Sequence, residues 1–112
     1  MSGIPSPFSM PEADRFNGSN FTKFDSMLIA GAKARGVIGY LNGTITKPPP
    51  PVGPVPYTTV ATPWYSRTPS EEEWEMRDGY TQSMVITNVE NPIGYGITNS
   101  MTAAEAYKAL TS

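Results

Sequence analysis

The chain contains no cysteine and no histidine. Without cysteine there is no disulfide framework, no thiolate metal site and no cysteine nucleophile. Without histidine the usual zinc ligands, the common general base near neutral pH and every Ser-His-Asp arrangement are excluded. Charge is also scarce. Eight Lys and Arg stand against ten Asp and Glu, which leaves a net charge of -2 and a pI of about 5.0. Such a balance supplies no global electrostatic drive toward nucleic acid or an anionic membrane. No apolar run approaches the roughly 18 residues of a membrane span. Residues 1–11 lack the basic and apolar regions of a secretory signal, so the expected location is cytoplasmic. What the chain does have is proline and glycine, 12 and 10 of its 112 residues. Long irregular stretches follow, and a core smaller than the length suggests. With 38% hydrophobic and 16% charged residues, the composition is not the highly charged one of a disordered chain. The length fits one small domain.

Residues 1–15 carry three prolines and little periodicity, and read as a flexible, extended N-terminal arm. Asn17-Gly18 marks a turn. Asn20 then suits a helix cap, and Phe21, Phe24, Leu28 and Ala32 follow as one apolar helical stripe. Gly36 closes that helix, with Lys33 and Arg35 at the negative end of its dipole. Val37, Ile38, Tyr40 and Leu41 form a short apolar segment that the Asn42-Gly43 turn ends.

Residues 46–67 read as a long proline-rich loop. Six prolines fall between Pro48 and Pro56, a run that favours polyproline II and enters neither a helix interior nor a central strand. Trp64 and Tyr65 are placed to pin its end to the core. The one short strand candidate is 57–60.

Thr68-Pro69-Ser70-Glu71 predicts a helix start, with Thr68 as cap, proline at the first helical position and Glu71 closing a capping box. Ser70 with Glu73 is a second box in an overlapping register. The helix is expected over about 69–89. Trp74, Arg77, Thr81, Met84, Val85 and Asn88 share one face, with Ile86 and Val89 toward another. Asn91-Pro92 starts a short turn, and Thr102 to Glu105 is a further capping box, followed by Ala106, Tyr107 and Leu110 on one face. A helix ending at Ser112 without a polar cap reads as the edge of a cut fragment. The predicted class is all-α, a small helical bundle whose core includes Phe21, Phe24, Leu28, Trp74, Met84, Tyr107 and Leu110.

Few residues invite chemistry. Glu71, Glu72, Glu73 and Glu75 offer paired carboxylates, but a metal or acid-base site needs convergence from separate elements; the run is better explained as a helix N-terminus. Trp64, Trp74 and Tyr107 are read as core rather than as a ligand box. Ser70 is read as a cap rather than a phosphorylation site. No Gly-rich phosphate loop or serine elbow is present. The chain is therefore expected to be no enzyme, with no metal and no cofactor. The candidate protein-interaction residues are Ile4, Pro7 and Phe8 of the arm, expected to dock on its own or a neighbouring lobe, and Pro48, Pro49, Pro50 and Pro51, a possible ligand for a proline-reading domain.

These segments together resemble the Gag domain of Copia-type LTR retrotransposons, most like the fungal branch. Phe16-Asn17-Gly18-Ser19-Asn20-Phe21 with Phe24 and Leu28 is similar to the family's start, Phe24 taking the usual tryptophan's place. Tyr40-Leu41-Asn42-Gly43-Thr44, the prolines after Lys47, Trp74 with Asp78, Asn91-Pro92-Ile93-Gly94 and 102–107 continue the likeness over residues 16–112. The resemblance implies a retroviral-capsid-like N-terminal lobe that is structural, non-catalytic and self-associating into capsid-type oligomers. The family's second lobe and its Cys-Cys-His-Cys zinc knuckle have no counterpart here, so no direct nucleic-acid binding is expected. The alternative is a peptide- or protein-binding adaptor that uses a hydrophobic groove or the proline-rich loop.

Overall fold

A computed structural model describes residues 4–49 and 62–111. Among them the architecture is all-α: α1 (Phe21–Ala34), α2 (Ile38–Leu41), α3 (Glu71–Thr87) and α4 (Ala103–Ala109), with 3-10 turns at Glu12–Asp14 and Ile93–Tyr95. The only β feature described is a single parallel bridge between Phe16 and Val89. No described helix is long and apolar enough to cross a membrane. The strand candidate 57–60 and the prolines Pro50 and Pro51 lie outside the described residues; Pro48 is half-buried and Pro49 exposed.

Helix α1 ends where Gly36 adopts φ +74°. The Gly36 amide donates to the Lys33 carbonyl and the Val37 amide to that of Ala32, the two bonds that close a helix on a left-handed residue. This reversal sends Val37, Tyr40 and Leu41, all at most 1% exposed, back under α1. Helix α3 lies at the centre and packs against α1, α2 and α4. Its six-residue face is buried throughout: Trp74, Arg77, Thr81, Met84, Val85 and Asn88. Trp74 Nε1 donates to the Ile45 carbonyl at 2.8 Å, tying α3 to the turn after α2.

Phe24, Leu28 and Met84 are fully buried, and Trp74 and Leu110 are 8% exposed. Phe21 and Tyr107 are half-buried at the margin of the core. The core also takes in Met10, Phe16, Val37, Tyr40, Leu41 and Ile45, so the arm and the α1–α2 connection supply much of what the helices enclose.

Three local expectations are corrected. Helix α3 starts in the Ser70 register, not at Thr68. Ser70 Oγ accepts from the Glu73 amide and Glu73 Oε1 accepts from the Ser70 amide, which leaves Pro69 outside the helix and buried. That register wins because the Glu73 carboxylate then also receives the Thr62 amide, the Thr62 hydroxyl and Arg77. The helix stops at Thr87, two residues early, because Asn88 leaves helical geometry and Val89 bridges to Phe16. Asn20 occupies the cap position of α1 without capping it. Its side chain instead receives the Asn17 amide and donates to the Arg15 carbonyl. Of the two aromatics expected to pin the proline-rich loop, Trp64 does so, donating Nε1 to the Arg35 carbonyl at 2.8 Å. Tyr65 is 73% exposed.

Candidate functional site

The most developed recognition surface is a groove between α1 and α3 that holds the N-terminal arm. Expected as a flexible arm that docks on its own or a neighbouring lobe, residues 4–10 carry no helix or strand, and four of their main-chain groups are held by side chains of the two helices and their caps. Asn88, the residue that caps α3, is fully buried. Its Oδ1 accepts from the Met10 amide at 2.7 Å, and its Nδ2 donates to the Phe8 carbonyl at 2.9 Å and to the Met84 carbonyl at 2.7 Å. Arg35 Nε donates to the Ser6 carbonyl at 2.7 Å, while its Nη1 donates to Gly31 of its own helix at 3.1 Å. The Tyr80 hydroxyl, reaching from α3, lies 2.8 Å from the Pro5 carbonyl and 3.0 Å from that of Ser6. An extended segment in a small protein must find partners for its amides and carbonyls, and here the side chains of two helices supply them.

Two side chains of the arm fit the same surface. Met10 is 2% exposed. The Phe8 ring sits on Gly31, where an added Cβ would lie 2.5 Å from the ring's Cγ, and Arg35 stacks over it at 5.3 Å. Glycine is required at this point by close approach alone. Further along, Phe16 plugs the end of α1, its ring 5.2 Å from both Phe24 and Tyr95. Its amide and carbonyl pair with Asn88 and Glu90. The end of α3 thus catches the arm twice.

Of the residues expected from sequence, Phe8 lies in the groove. Pro7 is in the same segment with its ring exposed, and Ile4 is 54% exposed beyond the last main-chain contact. Gly31, Arg35, Tyr80 and Asn88 were not singled out as a binding set. The available signal was Asn88, a polar residue beside Met84 and Val85 on the inward helical face, whose amide needs partners once it is buried.

The contact of Phe8 with Gly31 has a measurable consequence. Gly31→Ala is expected to cost about 2 kcal/mol by displacing the ring, yet close to nothing in a Phe8→Ala background, where the methyl enters vacated space. A denaturant double-mutant cycle reads the coupling. Strict additivity would mean the ring does not rest on Gly31.

Elsewhere, polar groups are spent on holding segments together. A shallow cleft of about 450 Å³ between α3 and the 98–102 turn is lined in part by Lys47, Glu75, Asp78 and Gln82. Lys47 pairs with Glu75 at 2.7 Å, and Gln82 donates to the Met101 carbonyl at 2.6 Å. Asp78 accepts from the Ala103 amide at 3.0 Å. Burial raises the Asp78 pKa, only partly opposed by that bond. No group of His, Cys, Asp and Glu that could hold a metal ion is present among the described residues.

The Tyr107 hydroxyl of α4 donates to Asp25 of α1. Burial, the hydrogen bond to Asp25 and the Asp25 charge push Tyr107 up to about 12. A tyrosine whose folded pKa exceeds its unfolded value of about 10 stabilises the fold fully below that value, and loses the contribution as pH rises through the folded pKa. Tyr107→Phe is therefore expected to cost about 1.5 kcal/mol at neutral pH. It should also shrink the stability lost between pH 10 and 12. Denaturant midpoints across that window test both; an unchanged alkaline limb would remove Tyr107 as its cause.

No family model, curated protein or solved structure matches this chain.

Proposed function

We propose that the chain is a non-catalytic, self-associating structural module of the capsid type, acting in the cytoplasm. The observation that carries this reading is the α1–α3 groove, a surface built to hold an extended peptide by its main chain. Every copy contains both the groove and a segment that fits it. The likeness of residues 16–112 to a Copia-type Gag N-terminal lobe supports the capsid kind. Its non-catalytic character is supported by what several buried polar side chains hold. Arg77, Asp78 and Asn88 each bind main-chain atoms of other segments.

Light scattering after size exclusion, across a wide range of concentration and at low and high salt, tests the reading. A mass that climbs with concentration is expected. A strict monomer throughout would overturn self-association by this lobe and favour the second reading, an adaptor that takes a partner's peptide in the same groove. That second reading is favoured by the main-chain character of the contact, since such bonds accept many sequences.

A further inference from the structure

We propose that the arm is exchanged between copies, residues 4–10 of one chain occupying the α1–α3 groove of another. The proposal rests on the self-association reading and supplies its contact. Three observations carry it. First, the groove grips the arm chiefly through main-chain atoms of Pro5, Ser6, Phe8 and Met10, together with the Phe8 ring and the buried Met10. None of these contacts depends on which chain the segment belongs to, so exchange re-forms all of them.

Second, the connection is built to open. Pro11, Glu12 and Ala13 are exposed, and the 3-10 turn Glu12–Asp14 buries none of its residues. Its side-chain tether is one surface ion pair, Asp14 to Lys23 at 2.9 Å, of a kind that contributes little. Extended, residues 11–15 span about 17 Å, enough to carry the arm off its own lobe. Third, Pro5, Pro7 and Pro11 restrict φ, which narrows the conformers of the undocked arm and lowers the entropy lost when it docks elsewhere. An element that can leave its own groove and enter an identical one is a low-cost route to oligomers.

The absence of native cysteine makes the test direct. A Cβ at Gly31 would lie 2.5 Å from Phe8 Cγ. One bond of about 1.5 Å further back, the two Cβ atoms are at most about 4 Å apart, within disulfide range. The full-length double variant Phe8→Cys/Gly31→Cys, in which the smaller side chain removes the clash, is oxidised mildly at graded concentrations and run without reductant. Exchange predicts covalent dimers or ladders whose share rises about tenfold per tenfold concentration while they are the minor species. Only internally cross-linked monomer at every concentration overturns exchange, and no cross-link of either kind overturns it too, because the arm is then not in the groove.

Wild-type light scattering separates the two ideas. Oligomers together with monomer-only cross-links mean that self-association survives on another face and exchange fails. Monomers together with monomer-only cross-links end both. Arg35→Ala, which removes the bond to Ser6 at a half-buried site, gives a reading independent of the cysteines. Because the closed monomer and the exchanged oligomer lose that bond alike, exchange predicts an association constant within about twofold of wild type, and an oligomer that dissociates at least several-fold more readily overturns it.

Discussion

Replacing Glu73 with alanine is expected to lower the unfolding free energy by about 4 kcal/mol at pH 7. The carboxylate is 16% exposed and serves four donors from three segments. It accepts the Ser70 amide, closing the capping box of α3, and the amide and hydroxyl of Thr62. It also accepts Arg77 Nη2 at 3.2 Å. Alanine would uncap the central helix, release the segment that carries Trp64, and strand a guanidinium that is 2% exposed. The other contacts of Arg77, the Thr62 carbonyl and the Trp64 ring, belong to that same segment, and neither would neutralise it. Stranding a buried charge is the larger part of the cost.

The pH dependence of the same group is a second handle. Burial raises the Glu73 pKa, but hydrogen bonds from the backbone amides of Ser70 and Thr62 and from the Thr62 hydroxyl outweigh it and bring the group down to about 2. A carboxylate depressed below its unfolded value stabilises the fold above that value, near 4.3. The contribution is lost as pH falls through the folded pKa. The wild type should therefore lose stability between about pH 4.3 and 2, and Glu73→Gln should flatten that limb while costing less than alanine at pH 7. Denaturant titrations at several pH values measure both. A loss below about 1 kcal/mol for Glu73→Ala would mean that Arg77 finds another partner.

The local patterns were legible in sequence; docking of the arm was expected, but the residues that receive it were not legible, for a physical reason. The stripe of α1, the Gly36 stop, the buried face of α3 and the Thr102–Glu105 box all depend on residues within four or five positions of one another. Side chains at that spacing meet on any helix. Where two local solutions competed, at Thr68 and Ser70, the choice fell to a distant partner: Thr62 and Arg77 converge on Glu73, and only the Ser70 register offers that carboxylate to them. Asn20 had a capping geometry available and spent its amide on Arg15 and Asn17. The groove lies further out of reach. Asn88 meets Met10 and Phe8 across 78 and 80 residues, and no periodicity announces a pairing of that separation. Gly31 reads in sequence as a weak helix residue, and only the ring lying on it explains its presence.

The groove makes the second large prediction. Asn88→Ala is expected to cost about 3 kcal/mol, because it leaves the buried Met10 amide and the part-buried Phe8 carbonyl without partners and opens a void in the core. Asn88→Asp keeps the acceptor for Met10 but sets an oxygen against the carbonyls of Phe8 and Met84, so it should be no better tolerated. The losses should also be local in a revealing way. Phe16 is held by main-chain bonds to Asn88 and Glu90 and by its ring contacts, none of which needs the Asn88 side chain. Hydrogen exchange in Asn88→Ala should therefore lose protection at Met10 while the Phe16 amide stays protected, and limited proteolysis should cut within residues 5–13 but not beyond 16. Protection lost equally at both would mean that the arm and the end of α3 come apart as one unit. Because a freed arm can no longer dock in any groove, the same substitution should also dissolve an arm-exchanged oligomer. Oligomers that persist with the Met10 amide unprotected would place the contact between copies elsewhere on the lobe.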